Sequence, residues 1–172
     1  SIYTETALNA IVEKLRHGHT RQLENQKPPE KLEIERACFV SLHMVDGSLR
    51  GCVGTLEPVE ANLYLEIIQN AKSAAFQDSR FKPLTEKELE EVELSVDVLS
   101  VPELYEGKTN WDPKKYGLIV KDKIGRRAVL LPDIPGISTA EDQLFKVKRK
   151  AGIIQSRNEG LKLYLFTATR YH

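Results

Sequence analysis

Two short apolar segments joined by Asp46-Gly47 constrain the fold of this chain more than any other feature. The segments are residues 39–45 and 49–55. Asp-Gly between apolar segments favours a tight β-hairpin, because a two-residue type I′ turn requires positive φ at both central positions. With this turn, the predicted cross-strand pairs are Val45 with Ser48, Met44 with Leu49, His43 with Arg50, and Ser41 with Cys52.

The predicted pairing divides the hairpin into two faces, since directly opposite side chains share a face. The expected core face carries Val40, Leu42, Met44, Leu49 and Val53. The other face carries Phe39, Ser41, His43, Arg50 and Cys52, and Gly54 is expected to leave open space beside them. A hydroxyl, an imidazole, a guanidinium and a thiol therefore converge on one side, and no other stretch of the chain concentrates so much chemistry.

The heptapeptide at residues 49–55, LRGCVGT, closely resembles the signature of the AMMECR domain family. The resemblance continues through residues 74–81, 83–85, 92–96, 116–120, 131–132 and 150–153, and it covers roughly residues 5–170. It implies a single AMMECR-type domain over residues 1–172, with a larger and a smaller lobe and a cleft between them. It also implies a pathway shared with Memo-like and radical-SAM proteins, with which such domains are often encoded or fused. The family has no established reaction, so no substrate or cofactor follows.

The remaining patterns predict an α+β fold: a mixed, largely antiparallel sheet with flanking helices. Helices are expected at residues 5–17 and 58–76, after a capping box at 85–88, and after a second capping box at 138–141. Strict alternation predicts a half-exposed strand at 92–99. A second hairpin is expected over 117–131, and a final strand over 161–169.

Composition describes an ordinary globular chain of one domain's length. The 172 residues are 41% hydrophobic and 29% charged, with 25 basic and 25 acidic residues. A formal charge of zero lacks the electrostatic footprint of a general nucleic-acid or membrane binder. No apolar run approaches the ~20 residues of a membrane span, and the first residues do not resemble a signal peptide.

The two cysteines, Cys38 and Cys52, fall on adjacent strands but on opposite faces of the predicted hairpin. This placement should exceed the Cα separation of about 7 Å that a disulfide tolerates. Two unbridged thiols favour a cytoplasmic protein. Since His17 and His19 have no further ligands nearby, no metal site is predicted.

Cys52 is the candidate nucleophile. Arg50 lies two residues away and His43 is diagonal to it, so both cationic groups could favour the thiolate. Gly51 and Gly54 would let a substrate or another backbone approach closely. The alternative is that Cys52 is a small buried hydrophobe and Arg50 is salt-bridged, because free cysteines are among the most buried residue types.

Asp78 and Arg80 form a second candidate site, in the segment that leaves the long helix. Arg80 is either a ligand-binding cation or half of a buried staple with Asp78 or Glu57. The proposed ligand-binding set comprises Ser41, His43, Arg50, Gly51, Gly54, Thr55, Asp78 and Arg80. Two functions remain open: a non-catalytic module that binds a ligand or partner protein, and a modifying enzyme in which Cys52 is the nucleophile and Arg50 holds an anionic group.

Overall fold

The structure is a computed structural model that describes residues 1–154 and 158–172. Its α-helices are α1 (Ile2–His17), α2 (Arg21–Glu24), α3 (Leu63–Phe76) and α4 (Ala140–Lys150), with 3₁₀ helices at Glu30–Leu32 and Glu86–Glu91. Its strands are β1 (Cys38–Met44), β2 (Leu49–Gly54), β3 (Val92–Leu99), β4 (Glu103–Tyr105), β5 (Gly117–Lys121), β6 (Arg127–Leu130), β7 (Lys162–Phe166) and β8 (Ala168–Tyr171). The chain divides into a larger compact unit, Ser1–Leu99 with Thr169–His172, and a smaller one, Ser100–Ala168.

The larger unit is a four-stranded sheet in the order β2-β1-β3-β8, with α1 and α3 packed on one face. β1 is antiparallel to both β2 and β3. The core lies between the sheet and the two helices, and its fully buried members include Ile11, Val40, Leu42, Ile67, Ile68, Ala71 and Val96. Ala71, Ala74 and Ala75 give α3 a small-residue side, which lets the helix backbone approach the sheet closely.

The helix predicted from residue 58 begins later, at Leu63. Asn62 is the N-cap, and its side chain accepts a hydrogen bond from the Leu65 amide at 3.0 Å. The amides of Val59 and Glu60 instead donate to the buried carboxylate of Glu66, so this stretch is a loop folded back on the first turn of the helix. Side-chain capping outweighed the preference of proline for a first helical turn.

The hairpin tip lies where the sequence predicted it, but its turn type was wrong. Met44 N–H donates to the Ser48 carbonyl, and only Gly47 has positive φ, at +84°. This is a three-residue loop that ends on a left-handed glycine, the second common hairpin solution for an Asp-Gly sequence. A β-bulge in β2 accompanies the longer loop. Leu42 pairs with Gly51 and His43 pairs with Leu49, so Arg50 has no residue opposite it on β1.

The bulge also corrects the predicted faces of the hairpin. A one-residue shift moves a side chain to the opposite face of a sheet, so Leu49 lies on the face of His43 rather than in the core. It is 37% exposed. Beyond the bulge the predicted register is confirmed, with Ser41 opposite Cys52 and Val40 opposite Val53.

The smaller unit is a second antiparallel sheet in the order β4-β7-β5-β6, with α4 packed against β5 and β6. Thr139 caps α4 by accepting a hydrogen bond from the Asp142 amide. The single strand predicted over residues 161–169 is two strands: β7 belongs to this sheet and β8 to the sheet of the larger unit. The break falls at Thr167, whose amide donates to Ser100 Oγ instead of to a neighbouring strand. The α+β class is confirmed.

Candidate functional site

The side chains of Asp78 and Arg80 hold Cys52 at the edge of the first sheet, and we call these two residues the edge clip. The Cys52 amide donates to Asp78 Oδ2 at 2.9 Å, and the Cys52 carbonyl accepts from Arg80 Nη2 at 3.3 Å. Both main-chain groups therefore point away from β1, which makes Ser41 and Cys52 a non-hydrogen-bonded pair, the pair type whose side chains are closest. Ser41 Oγ donates to Cys52 Sγ at 3.2 Å.

Ser95 extends this pair by one strand. Ser41 lies directly opposite Ser95 on β3 as well as opposite Cys52 on β2, so the three side chains share one face of the sheet. We call Cys52, Ser41 and Ser95 the serine–cysteine row. Ser41 and Ser95 are only 5% and 4% exposed, whereas Cys52 is half-buried.

Two buried side-chain atoms lack a hydrogen-bond partner among the residues that the structure describes. They are Ser95 Oγ and Arg50 Nη1. An unsatisfied buried hydroxyl costs roughly 1–3 kcal/mol, so such atoms are rare in folded proteins. Both of these lie in the larger unit, one in the row and one in the motif at residues 49–55.

Arg50 points away from Cys52, toward the segment that follows α3. It forms a fork with the two carboxylate oxygens of Glu88, at 2.8 and 3.2 Å, and donates to the Lys82 carbonyl. Hydrogen bonds from Arg50, and then from the amide and hydroxyl of Thr85, lower the pKa of Glu88 from 4.5 to about 2. Its bulged position accounts for this direction, since an unpaired edge residue is free to reach outside the sheet.

Arg80 forms a second fork, with Asp78, at 2.9 and 2.7 Å. The Arg80 side chain and then the Cys52 amide hold the pKa of Asp78 well below its usual range. The guanidinium groups of Arg50 and Arg80 both lie over the ring of Phe81, at 5.9 and 5.5 Å from its centroid. The two arginines thus fasten the segment after α3 to the edge of β2. Arg80 does pair with Asp78, but its side chain is 55% exposed, so the pair is not the buried staple that the sequence offered as one alternative.

The motif glycines fill packing roles. A Cβ on Gly51 would lie 2.2 Å from the Ala74 carbonyl oxygen, so glycine is what allows α3 to approach β2. The space beside Gly54, predicted to be open, is filled by the Phe39 ring, which a Cβ would meet at 2.3 Å. Thr55 Oγ1 donates to the buried Glu66 carboxylate and so joins the motif to α3.

His43 lies opposite Leu49 and Glu93, not opposite Arg50 as predicted. No hydrogen bond joins an imidazole or a carboxylate to Cys52 Sγ among the described residues. The same part of the chain contains no group of His, Cys, Asp or Glu arranged to hold a metal ion. No described helix is long and apolar enough to cross a membrane.

Sequence reasoning missed three residues near the row: Ser95, Asp97 and Arg170. Asp97 lies two residues from Ser95 on the same face of β3. Its two carboxylate oxygens accept hydrogen bonds from the Arg170 guanidinium of β8, at 2.8 and 2.9 Å. The alternation of residues 92–99 did place Ser95 and Asp97 on one face. It carried no indication that β3 pairs with β1, the strand that holds Ser41.

These features define a class of protein. It is a two-unit α+β domain in which the sheet of the larger unit carries the serine–cysteine row, and the edge clip holds the outermost strand of that sheet. The AMMECR1 family model matches residues 4–171, and the chain belongs to that family. The family predicted from the sequence is confirmed.

Relatives of the chain differ in length. A Thermotoga maritima protein is 44% identical over 169 residues, which cover 98% of this chain and 96% of that protein. A Clostridium acetobutylicum protein is 37% identical over 98% of this chain, but the chain spans only 35% of its length. The crystal structure of an uncharacterised protein from Pyrococcus horikoshii superposes with a TM-score of 0.78 at 31% identity, over 98% of this chain and 88% of that one.

Proposed function

We propose that this domain is a binding module that takes a polar ligand on the sheet face carrying the serine–cysteine row. The observation that carries the proposal is the unpartnered Ser95 hydroxyl, 4% exposed and directly opposite Ser41. Folding alone leaves this group unsatisfied, and a ligand atom would satisfy it. Violations of polar satisfaction are expected at functional sites, where binding provides the missing partner.

The edge clip supports the proposal by fixing the position of Cys52. Asp78 and Arg80 bind both main-chain groups of Cys52, and the Phe81 ring contacts the two arginines of the region. A site built on strands and locked by such supporting contacts holds its geometry more closely than one built on loops. In this proposal Asp78, Arg80 and Arg50 position the row, while Ser41, Ser95 and Cys52 meet the ligand.

An enzyme with Cys52 as nucleophile is the second candidate function. It is favoured by one observation, the Ser41 hydroxyl that donates to Sγ at 3.2 Å, since such a bond stabilises a thiolate. Arg50 does not stabilise a Cys52 thiolate in this geometry, because its guanidinium donates to Glu88 instead. An adjacent base commonly activates a nucleophilic cysteine, and no imidazole or carboxylate bonds Cys52 Sγ among the described residues. Binding is therefore the better-supported function.

Stability measurements on Ser95→Ala and Ser41→Ala test the proposal without a known ligand. Ser95→Ala removes a hydroxyl that makes no bond, so the ligand-free protein should be as stable as the parent or more stable. Ser41→Ala, at an equally buried neighbour, removes the bond to Sγ and should cost about 1 kcal/mol. A Ser95→Ala variant destabilised as much as Ser41→Ala would mean that the fold itself satisfies Ser95, and the proposal would fail.

Native-state alkylation by iodoacetamide separates the two candidate functions. A binding module predicts that Cys52 reacts no faster than the thiol of a small peptide, at every pH tested. An activated nucleophile predicts faster labelling near pH 7, slowed by Ser41→Ala. Rapid labelling with that dependence would favour the enzyme.

We also propose Memo-like and radical-SAM proteins as partners, in the cytoplasm. The support is the resemblance to a family whose domains are often encoded with, or fused to, such proteins. The Clostridium acetobutylicum relative is longer than the matched region, which is 35% of that protein. The test is co-expression with the Memo-like protein of the same genome. Co-elution as one complex would support the partnership, and separate elution at micromolar concentration would contradict it.

A further inference from the structure

We infer that the serine–cysteine row recognises a carboxamide group: an uncharged, planar unit with one hydrogen-bond acceptor and adjacent donors. The inference rests on the proposed binding function and names the ligand class that the row fits. Its basis is the pair of neighbouring hydroxyls on Ser41 and Ser95, which present opposite hydrogen-bonding character.

Ser41 and Ser95 differ in whether their hydroxyl protons are already used in hydrogen bonds. The Ser41 hydroxyl proton is engaged by Cys52 Sγ, so Ser41 Oγ presents lone pairs and acts as an acceptor. The Ser95 hydroxyl is unengaged among the described residues, so its proton is available to donate. A carboxamide oxygen would accept from Ser95 while its N–H donates to Ser41.

The spacing of the two serines suits such a group. The main-chain groups of Cys52 point away from β1, so those of Ser41 point toward β3, and Ser41 and Ser95 form a hydrogen-bonded pair. Cα atoms in such a pair are about 5.5 Å apart. The two hydroxyls do not bond each other, so the Ser95 hydroxyl keeps a donor for a group that bridges them. Cys52, half-buried at the edge strand, is the end of the row nearest solvent.

Charge near the row argues against an anionic ligand. Arg80 forms a salt bridge with Asp78, and Arg170 forms one with Asp97. Each of these two cations therefore already has a carboxylate partner. A carboxylate ligand has only acceptors at neutral pH and would set its oxygen against the lone pairs of Ser41. A carboxamide of the same shape avoids that repulsion. Arg50 reaches toward Glu88, away from the row, so it supplies no positive charge to a ligand bound there.

Acetamide and acetate provide a matched pair of probes, because they share a shape and differ in charge and donors. Both would be titrated into ¹⁵N-labelled protein at neutral pH and constant ionic strength, followed by amide chemical shifts. We expect acetamide to shift the resonances of Ser41, Cys52 and Ser95 with an affinity about tenfold above that of acetate, the effect of one hydrogen bond exchanged for a repulsion. Ser95→Ala and Ser41→Ala should each reduce the acetamide response, while Ser48→Ala, in the exposed turn, should not.

The outcomes separate the ligand class from the binding function. If acetate binds the row as tightly as acetamide and Ser95→Ala weakens both, the carboxamide class is wrong but the binding function stands. If neither probe shifts the row, both proposals fail. An acetamide response that Ser95→Ala leaves unchanged would reflect a general solvent effect and would also overturn the inference.

N-Methylacetamide identifies the source of the carboxamide. Tighter binding than acetamide would point to a main-chain peptide group, and weaker binding would point to a primary amide of a side chain or small molecule. Either result, with the same dependence on Ser95, supports the class.

Discussion

Replacing Glu88 by Gln should destabilise the protein in a way that depends on pH. Glu88 forms a bidentate salt bridge with Arg50. The Arg50 side chain is 11% exposed and the Glu88 side chain is 29% exposed. Glutamine keeps the shape and one acceptor oxygen but removes the charge. It leaves the largely buried guanidinium of Arg50 with the Lys82 carbonyl and a neutral amide as partners.

The pKa of Glu88 sets the magnitude of the effect. A fall from 4.5 to about 2 corresponds to roughly 3 kcal/mol at 1.36 kcal/mol per pKa unit. Since Glu88 is partly exposed, water screens the pair, and we expect about 1–2 kcal/mol at pH 7. A lowered folded-state pKa stabilises above the unfolded value, and this stabilisation is lost as pH falls through the folded value. The difference between parent and variant should therefore shrink by more than half between pH 5 and pH 3.

Urea unfolding followed by far-UV circular dichroism, repeated between pH 3 and pH 7, measures this difference. Glu86→Gln is the matched control, because Glu86 is exposed in the same 3₁₀ helix, and its effect should be small at every pH. An Arg50→Met variant should lose stability at pH 7 without the steep decline below pH 5. If Glu88→Gln costs nothing at pH 7, or costs the same at pH 3 and pH 7, the Arg50–Glu88 fork does not hold the segment after α3.

Three further predictions follow from single positions. Gly51→Ala should cost at least about 2 kcal/mol, because its Cβ would lie 2.2 Å from the Ala74 carbonyl oxygen, and an unchanged melting temperature would contradict the close packing of α3. Gly47→Val should cost at least about 1 kcal/mol at φ +84°, whereas Gly47→Asn should be better tolerated in the same melting experiment. Burial raises the pKa of Cys38 to about 12, so alkylation should label Cys38 only after unfolding, and mass analysis should find no Cys38–Cys52 disulfide after exposure to air.

Turn and capping chemistry made part of the fold predictable. The position of the hairpin tip followed from Asp46-Gly47, and the alternating strand at 92–99 was found with its observed ends. The capping box at Thr85 opens a helix as predicted, although a 3₁₀ helix. Each of these features depends on residues a few positions apart, so a local pattern contains the whole cause.

The turn type and the bulge could not be predicted in the same way. Asp-Gly suits both a two-residue and a three-residue hairpin loop, and the choice between them shifts the register by one residue. That shift moved Leu49 to the other face and left Arg50 free to reach Glu88. The pairing of Ser41 with Cys52, beyond the bulge, was therefore predicted correctly, whereas the pairing of His43 with Arg50, at the bulge, was wrong.

The sequence by itself determined the family, the α+β class and the concentration of polar groups on one hairpin face, because each is written in short-range residue patterns. Only the tertiary structure decided that Ser95 completes the row and that Arg50 and Arg170 have carboxylate partners. Arg50 and Glu88 are 38 residues apart, and Arg170 and Asp97 are 73 apart. Such pairs form because packing brings distant elements together, and no pattern within one element records which partner it will meet.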